Sequence, residues 1–371
     1  MRDGEAAFVL SHIEFALAED AGVTGACPDG MSKNVSEIFA LTPQGKRRPG
    51  ESDEAYAERL REGGKTLSVG PDGEDLCMQP EVADPDPWYR TVEGSGFPVD
   101  GIDLDGADSH GDGAVAPGTC PHDDFAGMNG EPGVDNQFYR VVGCTHSFQP
   151  SGQSNSFAIG MLTGAWGILL VVRGIDDIYN DDSVEVTFLS NADPIRLSPG
   201  REPLAYATYT ADPDPRFQAT ARGRIQEGVL ITEPADLRFH YDLNSMLLER
   251  PLRDAQLQVT LDDAGELAGY LAGYTPVEEM YDLQFGYRNG KTSAGELAPL
   301  RLRSGSANGA AYVLGRTCPG AYRALYQYAD AHPDPETGKC TSISTQYRLR
   351  AIPAFVVESN SGAEDITVSA R

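Results

Sequence analysis

Two short motifs in the first half of the chain place a histidine two residues after a cysteine. They are Cys120-Pro-His122 and Cys144-Thr-His146. A disulfide between these two cysteines would bring their Cα atoms within about 4.4–6.8 Å, and both histidines could then point to the same side. The pattern therefore predicts two imidazoles close together.

A neighbouring carboxylate would turn the two histidines into a metal site. Asp123 and Asp124 directly follow His122, and a His, His, carboxylate set is used by zinc, copper and non-haem iron. If the two cysteines remained thiols, a Cys2His2 zinc site would be the alternative. Offsets of two residues also arise by chance, so surface histidines without a metal are the third interpretation.

Two acidic segments supply the hard oxygen ligands that calcium prefers. One is a predicted hairpin loop at 176–182, and the other is the Gly-rich segment 100–112. The loop offers Asp176, Asp177, Asn180, Asp181 and Asp182, and the second segment offers Asp100, Asp103, Asp105, Asp108 and Asp112. These donors predict calcium sites, with solvated acidic loops that hold no ion as the alternative.

The second segment matches a helix–loop–helix calcium loop only at its start. His110 stands where an oxygen ligand belongs, and the twelfth position is Thr119 instead of a bidentate glutamate. A looser loop site is the better interpretation. Its further ligands would come from Asp123, Asp124, Asp135 or Asn136.

Motifs for nucleophilic or cofactor-dependent catalysis are absent from the sequence. It contains no GxSxG, no HExxH, no Gly-rich phosphate loop and no dinucleotide fingerprint. His240 alternates with aromatic residues in a predicted strand, which is typical of a structural histidine. Trp88 is a candidate for stacking on sugar rings, whereas Trp166 is expected in the core. The sequence thus favours binding over catalysis.

The strong negative charge excludes two classes of partner. The net charge is −27 and the isoelectric point is about 4.5. Such a surface repels phosphate backbones and anionic membranes, so neither nucleic acid nor a membrane surface is expected as a partner. No apolar run approaches the roughly 20 residues that span a bilayer, so membrane insertion is not expected.

Six cysteines without any CxxC motif favour three disulfides. Six cysteines allow about 15 pairings, and pairing of sequence neighbours is the most economical. It predicts Cys27–Cys77, Cys120–Cys144 and Cys318–Cys340. Disulfides predict a periplasmic or secreted protein, although the opening MRDGEAAF lacks the features of an export signal. Six buried free thiols in a cytosolic protein are the alternative.

The fold class predicted from the strand pattern is mainly β, with an antiparallel jelly-roll sandwich at 137–275. Short apolar or alternating runs recur there between turn residues. The first of these runs are 137–144, 156–162, 165–173 and 183–190, and the later ones are 204–210, 216–225, 228–233, 236–242, 255–263 and 266–274. Turn chemistry at most of the joints supports this interpretation.

Three further regions complete the predicted organisation. Residues 1–95 form an accessory region with one helix near 45–65, and 7–19 is either a strand or a helix. Residues 96–136 are an acidic loop segment rich in glycine, which needs a ligand or cross-links to be ordered. Residues 276–371 form an α+β extension with helices near 276–290 and 319–332 and a strand at 345–358.

These features together predict an exported, non-catalytic binding or assembly protein that is stabilised by disulfides and calcium. Its partner would be a polysaccharide or another protein. The alternative is an extracytoplasmic metalloenzyme or hydrolase, with zinc or copper held around His122 and His146. A third interpretation is a subunit of a larger complex that docks through its C-terminal helices.

Overall fold

A computed structural model describes residues 4–17, 25–109, 115–148, 153–191, 193–243, 246–262, 264–285 and 304–357. Its strands are β1 (Glu5–Phe15), β2 (Ile168–Arg173), β3 (Asp181–Ser190), β4 (Ala207–Thr210), β5 (Gln218–Gln226), β6 (Val229–Thr232), β7 (Ala235–Leu243), β8 (Met246–Leu261), β9 (Leu267–Pro276), β10 (Ala331–Pro333) and β11 (Cys340–Val357). Its helices are α1 (Val35–Leu41), α2 (Asp53–Thr66), α3 (Gln137–Val142), α4 (Gln153–Thr163), α5 (Val277–Phe285), α6 (Ser304–Leu314) and α7 (Cys318–Gln327). The fold is mainly β.

Eight strands form one sheet that curves into a partly closed ring. Their order is β1, β2, β3, β5, β6, β8, β9 and β11, and β11 pairs back onto β1. Every pairing around the ring is antiparallel. The short strand β6 makes the weakest joints, with four residue pairs to β5 and three to β8. A jelly-roll sandwich of two sheets is therefore not confirmed.

Strand β1 closes the ring because it pairs with a strand on each side. Phe8 lies opposite Leu170 of β2 and also opposite Pro353 of β11. The sequence left 7–19 open between strand and helix, and the structure resolves it as a strand. The accessory region 1–95 thus contributes a strand to the core sheet.

Apolar residues lie on both faces of the sheet. Phe8, Leu170 and Val172 belong to the interior cluster of the ring, whereas Val9 and Leu169 pack outside it beneath β4. Strand β4 covers this outer face by pairing with β11 in parallel. Covering on both faces explains why the apolar run of β2 is continuous, as its sequence predicted.

Two of the predicted strands, 137–144 and 156–162, are helices α3 and α4 instead. The side chain of Asn136 begins α3 by accepting a hydrogen bond from the Tyr139 backbone N–H at 3.2 Å. All six residues of α3 are buried. An element buried on every side has no polar face, so its apolar run carries no period that separates helix from strand. The predicted helices in 45–65, 276–290 and 319–332 are confirmed as α2, α5 and α7.

All six cysteines form disulfides, but the predicted pairing is wrong. The bonds are Cys27–Cys144, Cys77–Cys318 and Cys120–Cys340. Pairing of sequence neighbours assumed that each region folds locally. The ring instead brings the last third of the chain back against the first third, and each disulfide joins distant segments. Among the described residues no helix is long and apolar enough to cross a membrane.

Candidate metal centre

The acidic loop segment lies against one end of the ring, where a buried glutamine holds it. Gln346 of β11 donates from Nε2 to the carbonyl oxygens of Ile102 and Asp135 at 2.7 and 2.6 Å. Its Oε1 accepts from the Ile102 N–H at 3.0 Å. Gly101 has a φ of 151°, and a Cβ added there would lie 2.9 Å from the Gln346 amide carbon. Glycine at 101 therefore allows this close approach.

Further bonds fasten the same segment to the ring. The Cys120–Cys340 disulfide joins it to the start of β11, and the Cys120 N–H donates to the Asp330 carbonyl at 2.7 Å. Gln256 of β8 donates to the Leu104 carbonyl at 2.7 Å. A segment with few apolar side chains is thus held by hydrogen bonds and by sulfur.

His122 lies at the centre of a buried group of carboxylates. Its side chain is 4% exposed. Its Nε2 lies 2.9 Å from Asp124 Oδ1 and 3.0 Å from Asp135 Oδ1. The ligand atoms of Asp105, His122 and Asp135 all lie within 4.8 Å of one another. These three residues could hold one metal ion.

The tautomer of His122 follows from its other ring nitrogen. Nδ1 lies 2.6 Å from the Cys120 carbonyl oxygen, which can only accept, so Nδ1 carries a hydrogen. Nε2 then presents either a second N–H or a lone pair to the carboxylates. A backbone carbonyl that holds Nδ1–H in this way is the usual support for an imidazole that binds metal through Nε2.

Each surrounding carboxylate has one oxygen held by a backbone N–H. Asp135 Oδ2 accepts from Leu104 at 2.6 Å and Asp124 Oδ2 from Ser109 at 2.6 Å. Asp330 Oδ1 accepts from Ser344 at 2.8 Å. The backbone therefore fixes how each carboxylate is oriented and leaves its second oxygen for another partner.

Several of these second oxygens are buried without a hydrogen bond of ordinary geometry. They are Asp105 Oδ2, Asp124 Oδ1 and Asp330 Oδ2, together with the Tyr274 hydroxyl. A buried polar atom without a partner costs about 1–3 kcal/mol, and more when it is charged. Several such atoms around one imidazole are the arrangement that a cation would satisfy.

The local charges shift the ordinary pKa values of these groups. Burial raises the pKa of Asp135, with the His122 hydrogen bond acting in the opposite direction. Burial also raises the pKa of Asp330 to about 6. Burial alone would lower the pKa of His122, but hydrogen bonds to Asp124 and Asp135 outweigh it and raise that pKa. Burial, followed by the charges of Asp135 and Asp330, raises the pKa of Tyr274.

The other residues predicted for a transition metal lie elsewhere. His146 is exposed in the short helix His146–Phe148 and packs against Gly315, and its neighbour Cys144 bonds to Cys27. The carboxylate of Asp123 accepts a hydrogen bond from the Ser95 hydroxyl. The structure therefore does not bring His146 to His122, because the disulfide that was expected to join them does not form.

The predicted calcium ligands are divided between the cluster and the surface. Asp105 belongs to the cluster, whereas Asp103 and Asp108 are exposed. Asp103 Oδ1 accepts from the Gly106 N–H at 2.7 Å and stabilises a turn. Asp112 and His110 lie outside the described residues.

The hairpin loop at 176–182 uses its acids to hold its own backbone. Asp181 accepts hydrogen bonds from the N–H groups of Asp176 at 2.8 Å and Ser183 at 3.0 Å. Asp177 accepts from the Tyr179 N–H at 2.8 Å, and Asp182 is exposed. Backbone donors therefore occupy the loop carboxylates that were predicted to bind calcium.

Sequence analysis missed Asp330 and Gln346, and it considered Tyr274 only as an aromatic ring. Asp330 stands between α7 and β10, and Tyr274 lies opposite Ser344 in the β9–β11 pairing. The aspartate lies in no acidic run, so it carries no local pattern of a ligand. The buried glutamine in a predicted strand was the one available signal, because a buried amide needs partners.

A surface pocket of about 460 Å³ lies beside the cluster. His122, Asp123, Gln137, Arg140 and Tyr328 are among its lining residues. Asp105, Asp124, Asp135 and Asp330 do not line it. A molecule in this pocket would touch the imidazole ring but none of the four clustered carboxylates.

No known protein family, curated protein or solved structure matches this chain.

Proposed function

We propose that this protein is an extracytoplasmic, non-catalytic binding protein in which a divalent transition metal, zinc first, joins the acidic loop to the end of the ring. One observation carries the proposal. His122 Nε2 and buried carboxylate oxygens without hydrogen-bond donors converge on one point. Three disulfides are compatible with the location.

The imidazole decides which metal is proposed. Calcium takes about six to eight oxygen ligands, whereas zinc readily combines histidine nitrogen with carboxylate oxygen in a four-coordinate site. His122, Asp105, Asp124 and Asp135 offer one nitrogen and three carboxylates. Zinc therefore replaces calcium as the first proposal for this centre, and a metal-binding role at His122 is retained without His146.

Burial favours a binding role over catalysis. A catalytic metal keeps an open coordination position that substrate can reach. Asp124, Asp135 and Asp330 are buried, and none of them faces the neighbouring pocket. A metal held among them would brace the loop against β11, which suits a scaffold that presents a binding surface.

A metal-dependent hydrolase is the second candidate, because the pocket of about 460 Å³ reaches the ring of His122. Turnover of ester or phosphate substrates by the metal-loaded protein, lost in His122→Gln, would place it first.

The test is metal analysis of protein purified without chelators, followed by thermal unfolding of two matched variants. We expect about one equivalent of zinc or a similar metal. Chelation should lower the free energy of unfolding by about 3 kcal/mol relative to metal at 100 times its Kd. Asp124→Asn should weaken metal binding at least about tenfold. Asp123→Asn is the control because its carboxylate meets Ser95.

Three results would contradict this proposal. Equal metal affinity in the Asp124→Asn and Asp123→Asn variants would remove the site from the cluster. Restoration of stability by calcium but not by zinc would reassign the metal. Protein that contains no metal and gains no stability from any divalent cation would overturn the site altogether.

A further inference from the structure

The end of the ring opposite the metal centre contains an apolar cavity of about 630 Å³. Small-molecule sites commonly measure about 300–1,000 Å³. Strands β1, β2, β5, β6, β8, β9 and β11 all contribute to its wall. Interior residues of the ring that line it include Phe8, Val172, Ile225, Leu230, Val259 and Leu267. The cavity is therefore the open end of the hydrophobic interior.

Large apolar side chains surround the opening on the outer side. Ile178 is 48% exposed, Phe355 is 58% exposed and Tyr206 is 64% exposed, and all three line the cavity. The rings of Tyr206 and Phe355 lie 6.2 Å apart, and Tyr206 has a φ of 61°, which non-glycine residues seldom adopt. Clustered exposed apolar residues mark binding sites more often than chance exposure does.

The charges near the opening limit what can bind. Among the described lining residues, Arg173 is the one cation, and its Nε lies 3.1 Å from Glu5 Oε2. Further acids directly adjoin lining residues; these are Asp176, Asp177, Glu227 and Glu266. An anionic head group would meet like charges and would lose its hydration without a free cation in return.

We infer that this cavity binds a single hydrocarbon chain that carries an uncharged or cationic head group. The chain would extend the apolar interior of the ring, and the exposed side chains at the opening would cover its outer part. The head group would stay in water among the acids. This site is separate from the metal centre and does not depend on it.

The test measures displacement of the neutral probe N-phenyl-1-naphthylamine from the full chain by alcohols of increasing length. We expect affinity to increase about fourfold for each CH2 from hexan-1-ol to decan-1-ol, because each buried CH2 contributes a nearly constant free energy. Decyltrimethylammonium should bind as decan-1-ol does. Decanoate should bind at least about tenfold more weakly because of the acids.

Two matched isoleucine variants locate the site. Ile178→Asp puts a charge at the opening, and we expect it to weaken decan-1-ol binding at least about tenfold. Ile159→Asp is the control, because Ile159 is 56% exposed on α4 and does not line the cavity. Both positions are on the surface, so neither variant needs to bury its new charge.

Several outcomes would overturn the inference. Failure of the probe to bind, or affinity independent of chain length, would exclude a hydrocarbon site. Equal affinity for decanoate and decan-1-ol would remove the head-group selectivity. Equal behaviour of the Ile178→Asp and Ile159→Asp variants would place alcohol binding elsewhere on the molecule.

Discussion

The two ends of the ring differ most clearly along β11, which reaches both. At its start Ser342, Ser344 and Gln346 are polar and buried. Near its end Phe355 and Val357 are apolar and exposed. Each end reverses the usual distribution of polar residues outside and apolar residues inside. A reversal of this kind needs a partner, and the two ends need opposite ones.

Strand β9 shows the same contrast beside β11. Tyr274 and Thr275 are buried at the metal-centre end, and the hydroxyl of each has no hydrogen bond in the described part of the structure. Leu267 lines the apolar cavity at the other end. The ring therefore separates a closed polar site, which the acidic loop covers, from an open apolar site. Variants that affect one end and leave the other unchanged test this separation.

Removing the Cys120–Cys340 disulfide should have the largest effect. The double variant Cys120→Ser, Cys340→Ser frees the acidic loop from β11 and should lower the free energy of unfolding by about 2–5 kcal/mol. We also expect loss of metal affinity, because Cys120 supplies the carbonyl that orients His122. Urea unfolding and metal titration measure the two effects.

The Cys77–Cys318 disulfide is the control for this variant. Its sequence separation of 241 residues is close to the 220 of Cys120–Cys340, so the chain-entropy cost is similar. Cys77→Ser, Cys318→Ser should destabilise the fold without removing metal binding. Decan-1-ol binding should persist in both variants under native conditions. Equal loss of metal affinity in both would mean that the metal end is not a separate unit.

Replacing the buried glutamine should have the next largest effect. Gln346→Leu leaves the Ile102 N–H and the carbonyl oxygens of Ile102 and Asp135 without their partner, so we expect a loss of about 3 kcal/mol. Phe355→Leu on the same strand is the control, since this exposed change should alter stability by about 0.5 kcal/mol or less. Similar losses in urea unfolding would contradict the contrast along β11.

The strand content of this fold could be predicted, because alternation and turn residues are local signals. The periods of α3 and α4 could not be read, since burial on all sides removes the polar positions that define a period. Ring closure depends on β1 pairing with β11, and no local pattern reports a contact between the two ends of a chain.

The candidate site was predicted in part for the same reason. His122, Asp105 and Asp124 lie in one acidic segment, so composition alone identified them. Asp330 reaches the cluster only through the β10–β11 hairpin, in which Ala331 lies opposite Ser342. The disulfide pairing likewise depends on the whole topology. Local chemistry is thus readable from the sequence, whereas its assembly across distant segments is not.

The smallest effect is expected at the hairpin loop beside the open end. Hydrogen bonds from the backbone N–H groups of Ser183 and Asp176 lower the pKa of Asp181. A carboxyl whose pKa is lower in the folded state contributes stability that is present above its unfolded pKa of about 3.9 and is lost as the pH falls. Below about pH 4 the loop should therefore loosen, while the metal-free cluster already holds protons.

Amide hydrogen exchange at Asp176 and Ser183 measures this loosening. Both amides should be protected at pH 6, and their protection should fall at pH 3 by more than the intrinsic change in exchange rate. Asp181→Asn keeps an oxygen acceptor but removes the charge, so its protection should be weaker and nearly independent of pH in this range. Calcium should not change exchange at either amide, because the backbone already occupies both Asp181 oxygens. Protection that rises with calcium would instead return a cation to the loop, and both ends of the ring would then be metal sites.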